Sequence, residues 1–168
     1  MNKNNLKDKL ANIKLAIFDF DGVFTDNKVL VSEDGIESVT CCRSDGIGIS
    51  RIAKIGVRSY VVSSETNPVV EVRCKKLKIP VIQGVENKQE AIKSLCKSLN
   101  ISPKECLFLG NDINDICAFQ IVGCPLAVAD SFDEIDRYVI YKTKSKGGEG
   151  AVREICDLLY NYKTIKQN

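Results

Sequence analysis

Three carboxylates, Asp19, Asp21 and Asp26, crowd the end of an apolar run in "KLAIFDFDGVFTDN", residues 14–27. Like charges at the mouth of a buried strand repel one another, so their gathering calls for a chemical reason. Further along the chain come Ser63 and Ser64 in "YVVSS", then Lys88, then Asn111, Asp112 and Asp115 in "GNDIND". Acids, a hydroxyl and a lysine in this order suit phosphoryl transfer. An anionic phosphate is repelled by carboxylates unless a divalent cation bridges them, and hard Mg²⁺ takes oxygen ligands such as Asp19 and Asp112. With the charge offset, Asp19 can attack phosphorus and form an aspartyl-phosphate. Asp21, two residues on, can donate a proton to the leaving oxygen and later activate water, provided its pKa stands above that of Asp19. Ser63 and nearby backbone amides would hold phosphoryl oxygens, and Lys88 would offset charge on nucleophile and phosphate.

These residues follow elements that the apolar pattern predicts. Short runs rich in branched residues at 14–18, 57–63, 80–84, 106–110 and 125–129 read as strands buried on both faces. Helical patterns separate them at 45–55, 67–77, 88–99 and 149–160. In 88–99, Ala91, Ile92, Leu95, Cys96 and Leu99 fall on one stripe. Ser102, Pro103 and Glu105 supply a hydroxyl cap, a proline at the first helical position and a glutamate at the third. The alternation predicts an α/β fold, a doubly wound parallel sheet. Ligands of such sheets bind beyond the carboxyl ends of the strands, where the candidate residues lie. Residues 28–42 break the alternation: two strand-like runs about Asp34-Gly35 predict a β-hairpin flap beside the acidic cluster. With no repeat, linker or low-complexity tract, residues 1–168 read as one domain.

Composition narrows the chemistry by exclusion. The chain has 168 residues, a net charge of +2 and no histidine, which removes Ser-His-Asp triads, Cys-His pairs and phosphohistidine. Its eight cysteines form no C-x-x-C pair and read as reduced core residues, as Cys96 and Cys156 do on apolar faces. Interspersed charges argue against a nucleic-acid surface. No long apolar run suggests a membrane span, and the polar N-terminus lacks a signal-peptide core, so the expected location is cytoplasmic. The lysine-rich tail "YKTIKQN" reads as a frayed end.

Four motifs in order carry a family resemblance over nearly the whole chain. "DFDGVFTD" resembles the first motif of the haloacid dehalogenase-like (HAD) phosphatases, "YVVSS" the second, Lys88 fits the third, and "GNDINDICAF" resembles the fourth. The resemblance implies a Rossmann-like HAD fold and a Mg²⁺-dependent phosphohydrolase with Asp19 as nucleophile, Asp21 as acid–base and Asp112 as metal ligand. It also implies that Asp115 is an outer or alternative ligand and that the backbone carbonyl of Asp21 binds the ion. "DGVFTD", the hairpin, "SDGIGI" at 44–49 and "GGEGAVREICDLL" at 147–159 look like the small 3-deoxy-D-manno-octulosonate 8-phosphate phosphatases and the phosphatase domains of acylneuraminate metabolism. Asp45 and Gly46 enter the expected substrate site by that match. Members of the group lack a cap domain and usually form tetramers. Too few residues separate Asp26 from Ser63, or Lys88 from Asp112, for an inserted cap.

Substrate choice within the group rests on fewer residues. Octulosonate phosphatases typically carry Gly-Arg after the motif-two serine, whereas this chain has Ser64 and Glu65, which resembles the nine-carbon sugar-acid phosphatases. Two other readings compete. A phospho-accepting receiver domain leaves "DFDG" unexplained. A non-catalytic partner of an acylneuraminate cytidylyltransferase conflicts with intact Asp19, Asp21, Lys88 and Asp112. Without a cap, the hairpin and "SKGGEGAVRE" are the segments available to wall the site. Their glycines allow close backbone approach, and Lys146 and Arg153 are candidates to meet a sugar carboxylate. The hairpins would form the central contact of a homotetramer.

Overall fold

A computed structural model describes residues 3–165. Six parallel strands form the central sheet: β1 (Leu15–Phe18), β4 (Arg58–Val62), β5 (Val81–Ile82), β6 (Cys106–Gly110), β7 (Cys124–Ala127) and β8 (Tyr141–Lys142), in the order β5-β4-β1-β6-β7-β8. The two other strands, β2 (Leu30–Val31) and β3 (Glu37–Ser38), pair antiparallel as the hairpin. The helices are α1 (Lys3–Ala11), α2 (Ser44–Ala53), α3 (Val69–Leu77), α4 (Lys88–Leu99), the single turn α5 (Ile116–Phe119) and α6 (Ala151–Ile165). The fold is thus α/β and doubly wound, with a hairpin flap and no inserted cap.

Side-chain alternation along the central strands divides the core. Ala16 and Phe18 of β1, with Leu107 and Leu109 of β6, join the core beneath α1, α2, α3 and α6. Leu15 and Ile17, with Cys106 and Phe108, join the core beneath α4 and α5. Period-two alternation with both faces covered is what makes β1 read as a continuous apolar run. The order of the sheet reverses at β1, whose neighbours β4 and β6 lead in opposite directions. The crevice at such a switch point is where an open sheet offers a site.

The predicted strands and helices are all present, with ends shifted by a few residues. The capped turn is present as well: Ser102 Oγ accepts from Lys104 N at 3.3 Å, and Glu105 Oε2 accepts from Ser102 N at 3.0 Å. Helix α1 was not anticipated. Among the described residues it contributes Leu6 and Leu10, one turn apart, to the core, too sparse a stripe to stand out in a polar segment. Strand β8 was also missed, because two half-buried residues at a sheet edge carry little pattern. Where a frayed tail was expected, α6 continues through residues 162–165, and residues 166–168 lie outside the described ones. All eight cysteines are free, and five of them are buried. Among the described residues, no helix is long and apolar enough to cross a membrane.

Candidate active site

The central strands deliver the predicted residues to one edge. Asp19 follows β1 directly, and its N–H donates to Leu109 O of β6 at 2.9 Å, fixing the departure of the chain. Ser63 follows β4, its N–H donating to Ile82 O at 3.0 Å and its Oγ accepting from Glu65 N at 3.2 Å. After β6 the chain enters a short 3-10 turn that Asp112 caps, Oδ1 accepting from Ile113 N at 2.7 Å. Asp19, Asp21, Ser63, Ser64, Asn111 and Asp112 line one cavity of about 180 Å³.

Lys88 reaches the same place from the first turn of α4, which starts where Asn87 caps Glu90 N. Its ammonium lies 2.8 Å from Asp19 Oδ2 and 2.6 Å from Asp115 Oδ1, and all three side chains are essentially buried. Burial works against the lysine charge, but Asp19 and Asp115 outweigh it and hold the pKa of Lys88 above its ordinary value. Asp19 is pushed up to about 7, first by burial and then by the charge of Asp115, against the pull of Lys88. One ammonium cannot balance these two carboxylates together with Asp21 and Asp112 at the cavity wall. Asp21 is also raised, by burial first and the charge of Glu65 second, with the hydroxyl of Thr25 acting the other way.

This charge deficit, presented by oxygen donors alone, fits a hard divalent cation. Asp19 and Asp112 would hold it. Among the described residues, no three acidic, histidine or cysteine side chains gather tightly enough to enclose a metal, so backbone carbonyl, water and phosphate oxygens are left to complete the shell.

Asp115, expected as an outer or alternative metal ligand, is engaged within the protein. One of its oxygens takes Lys88, the other accepts from Asn111 N at 2.8 Å and Asp112 N at 3.4 Å, and the residue has no exposed surface. In this arrangement it orients the lysine and the fourth-motif loop. Asp45 and Arg153 also lie apart from the cavity. Asp45 is fully buried beneath the start of α6, where Oδ1 accepts from Arg153 N at 3.1 Å, because the first helical turn leaves amides without intrahelical partners. The Arg153 side chain pairs with Asp157 at 2.7 Å on its own helix. Gly46 lies against α3, where an added Cβ would meet Leu77 Cδ2 at 3.1 Å.

A second cavity of about 290 Å³ adjoins the first, sharing Asp21 and Asn27 and bounded by Lys28, Val29, Glu37, Val39, Glu65, Asn67 and Val69. Glu65 is therefore at the wall where the sequence placed it. Asn27, Asn67 and Glu37 were not singled out. Asn27 has a left-handed backbone, φ 61°, which an asparagine directly after the acidic cluster could have signalled. Thr25 was missed too. Fully buried, it accepts from Gly22 N at 3.1 Å and Asn27 N at 3.3 Å, and lies 3.4 Å from Asp21 Oδ1. The glycine-rich segment braces this loop from behind: a Cβ on Gly147 would come within 2.0 Å of Gly22 O.

Comparison with known proteins agrees with the fold. The sequence profile of the haloacid dehalogenase-like hydrolases matches residues 71–155. The 3-deoxy-D-manno-octulosonate 8-phosphate phosphatase KdsC of Escherichia coli (strain K12) is 35% identical over 152 residues, covering 90% of this chain and 81% of its own. The chain therefore belongs to the haloacid dehalogenase-like hydrolases. The crystal structure of the 3-deoxy-D-manno-octulosonate 8-phosphate phosphatase from Moraxella catarrhalis, in complex with magnesium ion, phosphate ion and KDO, superposes with a TM-score of 0.94 at 29% identity, covering 97% of this chain and 94% of that one. The cobalt-bound deoxy-D-mannose-octulosonate 8-phosphate phosphatase from Haemophilus influenzae gives 0.89 at 29% identity, covering 93% and 92%. Within its family the chain is a phosphatase, a phosphoric monoester hydrolase.

Proposed function

We propose that this chain hydrolyses the phosphate monoester of a 2-keto-3-deoxy sugar acid, of the 3-deoxy-D-manno-octulosonate 8-phosphate type, using Mg²⁺ and an aspartyl-phosphate on Asp19. The carrying observation is the buried Asp19, held at 2.8 Å by Lys88 and opening on a cavity shared with Asp21, Ser63 and Asp112. Bound there, Mg²⁺ supplies positive charge that offsets the repulsion between carboxylate and phosphate. An Asp19 oxygen forms the bond to phosphorus while the ester P–O bond breaks, and Asp21 passes its proton to the departing alkoxide. Ser63 and the amides around it hold the phosphoryl oxygens. Water then attacks phosphorus, Asp21 takes its proton, and the bond to Asp19 breaks to release phosphate.

The second cavity seats the rest of the sugar acid, and its lining favours a second reading. Glu65 and Glu37 line it and can accept hydrogen bonds from hydroxyl or amide groups of a larger substrate, which keeps a nine-carbon sugar-acid 9-phosphate as the alternative. The intact catalytic set weighs against a purely non-catalytic role beside a cytidylyltransferase. The hairpin exposes Val29, Leu30, Val31 and Ile36 to between 52% and 73%, an apolar surface suited to packing against copies of itself. We therefore read the working form as a cytoplasmic homotetramer of one-domain, capless chains.

Phosphate release from both sugar-acid phosphates, with and without Mg²⁺, tests the reading. Asp19→Asn removes the anionic nucleophile at nearly constant volume, so turnover should fall at least ~10³-fold and no phosphoryl-protein should be trapped. Substantial turnover by that variant would rule out the covalent route.

A further inference from the structure

Between the hairpin and the second-motif loop lies a hydrogen-bond relay that no part of the reaction explains. Glu65 Oε1 accepts from Asn67 N at 2.8 Å and from Thr66 N at 2.6 Å. Asn67 Oδ1 accepts from Val69 N at 3.0 Å, at the start of α3. Asn67 Nδ2 donates to Glu37 Oε2 of β3 at 2.8 Å. Among the described residues, this last is the one hydrogen bond from either hairpin strand to the α/β body. Helix α3 holds the hairpin a second time at its root, where Arg73 donates to Cys42 O at 2.8 Å. The two attachments differ in consequence. The root is also fixed by the bridge between Thr25 and Cys41, whereas the strands above it have only Glu37.

We propose that Asn67 and Glu37 form a latch that sets the width of the sugar pocket, making Asn67 a positioning residue for substrate selection. The inference rests on reading the second cavity as the seat of the sugar acid. Both latch residues line that cavity and come from different segments: Glu37 from the hairpin, Asn67 from the loop that also carries Glu65. Closing the latch fixes the distance between Glu37 and Glu65, and so which polyol spans them. Opening it removes the hydrogen bond that ties the hairpin strands to the body of their own chain, so the wall carrying Glu37 and the wall carrying Glu65 can shift relative to one another even where the hairpins pack against copies of themselves. Asp19, Lys88 and Asp112 stand on the sheet edge and do not depend on it.

The chemistry of the pair allows a polarity reversal. Asn67→Asp keeps the Oδ1 acceptor for Val69 N, so α3 still starts normally, but it replaces the donor facing Glu37 with a second carboxylate. Adding Glu37→Gln restores a donor, now on the hairpin side. With 3-deoxy-D-manno-octulosonate 8-phosphate as substrate, Asn67→Asp should raise KM roughly tenfold, the effect of losing a hydrogen bond to a charged group, and the double variant should recover most of it. Turnover of para-nitrophenyl phosphate, which does not span the pocket, should change by a much smaller factor. Hydrogen exchange at amides 30–38 should quicken in Asn67→Asp and slow again in the double variant. An unchanged exchange rate in Asn67→Asp overturns the latch, as does a double variant no better than the single one. Should the wild-type protein release no phosphate from any sugar-acid phosphate, the functional reading fails while exchange still decides the latch.

Discussion

Asp115 holds the ammonium of Lys88 at 2.6 Å across 27 positions of sequence, with 2% or less of either side chain open to solvent. The contact joins α4 to the loop after β6, so the lysine that pairs with Asp19 also fastens two layers of the fold. Lys88→Met keeps most of the volume but leaves the carboxylates of Asp19 and Asp115 without their counter-charge. Removing one partner of a buried ion pair costs roughly 3–5 kcal/mol. Urea unfolding without metal at pH 7.5 should show a loss of that size, and saturating Mg²⁺ should restore part of it by offsetting the same carboxylates.

Asp21 should reveal its task through the leaving group. Its pKa is raised by burial and by Glu65, which favours the proton-bearing form a general acid needs. Asp21→Asn is expected to slow sugar phosphates at least ~10²-fold and para-nitrophenyl phosphate by less than ~10-fold, because only an alkoxide needs the proton. Parallel losses on both substrates would assign Asp21 to metal binding alone.

A pH effect on stability should arise away from the site, at Asp45. Burial lifts its carboxyl from 3.8 to about 6, against the Arg153 amide and the charges of Arg73 and Arg153. The folded protein thus holds this proton more tightly than the unfolded chain. The stability it contributes is complete below pH 3.8 and is lost as pH rises through about 6. Asp45→Asn retains an acceptor for Arg153 N and removes the titration. Between pH 4 and 7 the wild type should lose on the order of 2 kcal/mol relative to Asp45→Asn, measured as the difference in unfolding free energy at each pH.

The hairpin surface should govern assembly. Leu30 is 73% exposed and Ile36 63%. Placing aspartates at both positions puts like charges where copies would meet, so light scattering should report smaller species than the wild type. A wild-type protein that is monomeric at micromolar concentration would end the tetramer reading.

Much of this site was legible because strand ends are local features. Asp19, Ser63 and Asp112 could be placed from the runs before them, and Lys88 from the helical stripe it opens. What the sequence hid depends on which distant segments meet. Asp45 sits beside a helix start 108 positions away, so a buried capping role and a substrate role leave the same local pattern. The contacts of Asp115 with Lys88 and the Asn111 amide exist only after folding, so its part in orienting them was not legible. Glu37 and Asn67 each belong to an ordinary polar stretch, and their pairing requires the hairpin to fold back over α3. The glycines at 147 and 148 announced close packing, but not that they would press on the loop that follows Asp19.

That packing has a consequence in time. Gly148 N–H donates to Val23 O at 3.1 Å, and a Cβ on Gly147 or Gly148 would collide with backbone between Gly22 and Asp26. The loop that follows Asp19 is therefore completed by residues more than 120 positions downstream. A ribosome making this chain at about 5–20 residues per second exposes the acidic loop for several seconds before its brace exists. During that interval the nascent protein carries all three acids of the first motif but not the backing that shapes them, so a chain truncated before Gly147 is expected to lack the shaped acidic loop.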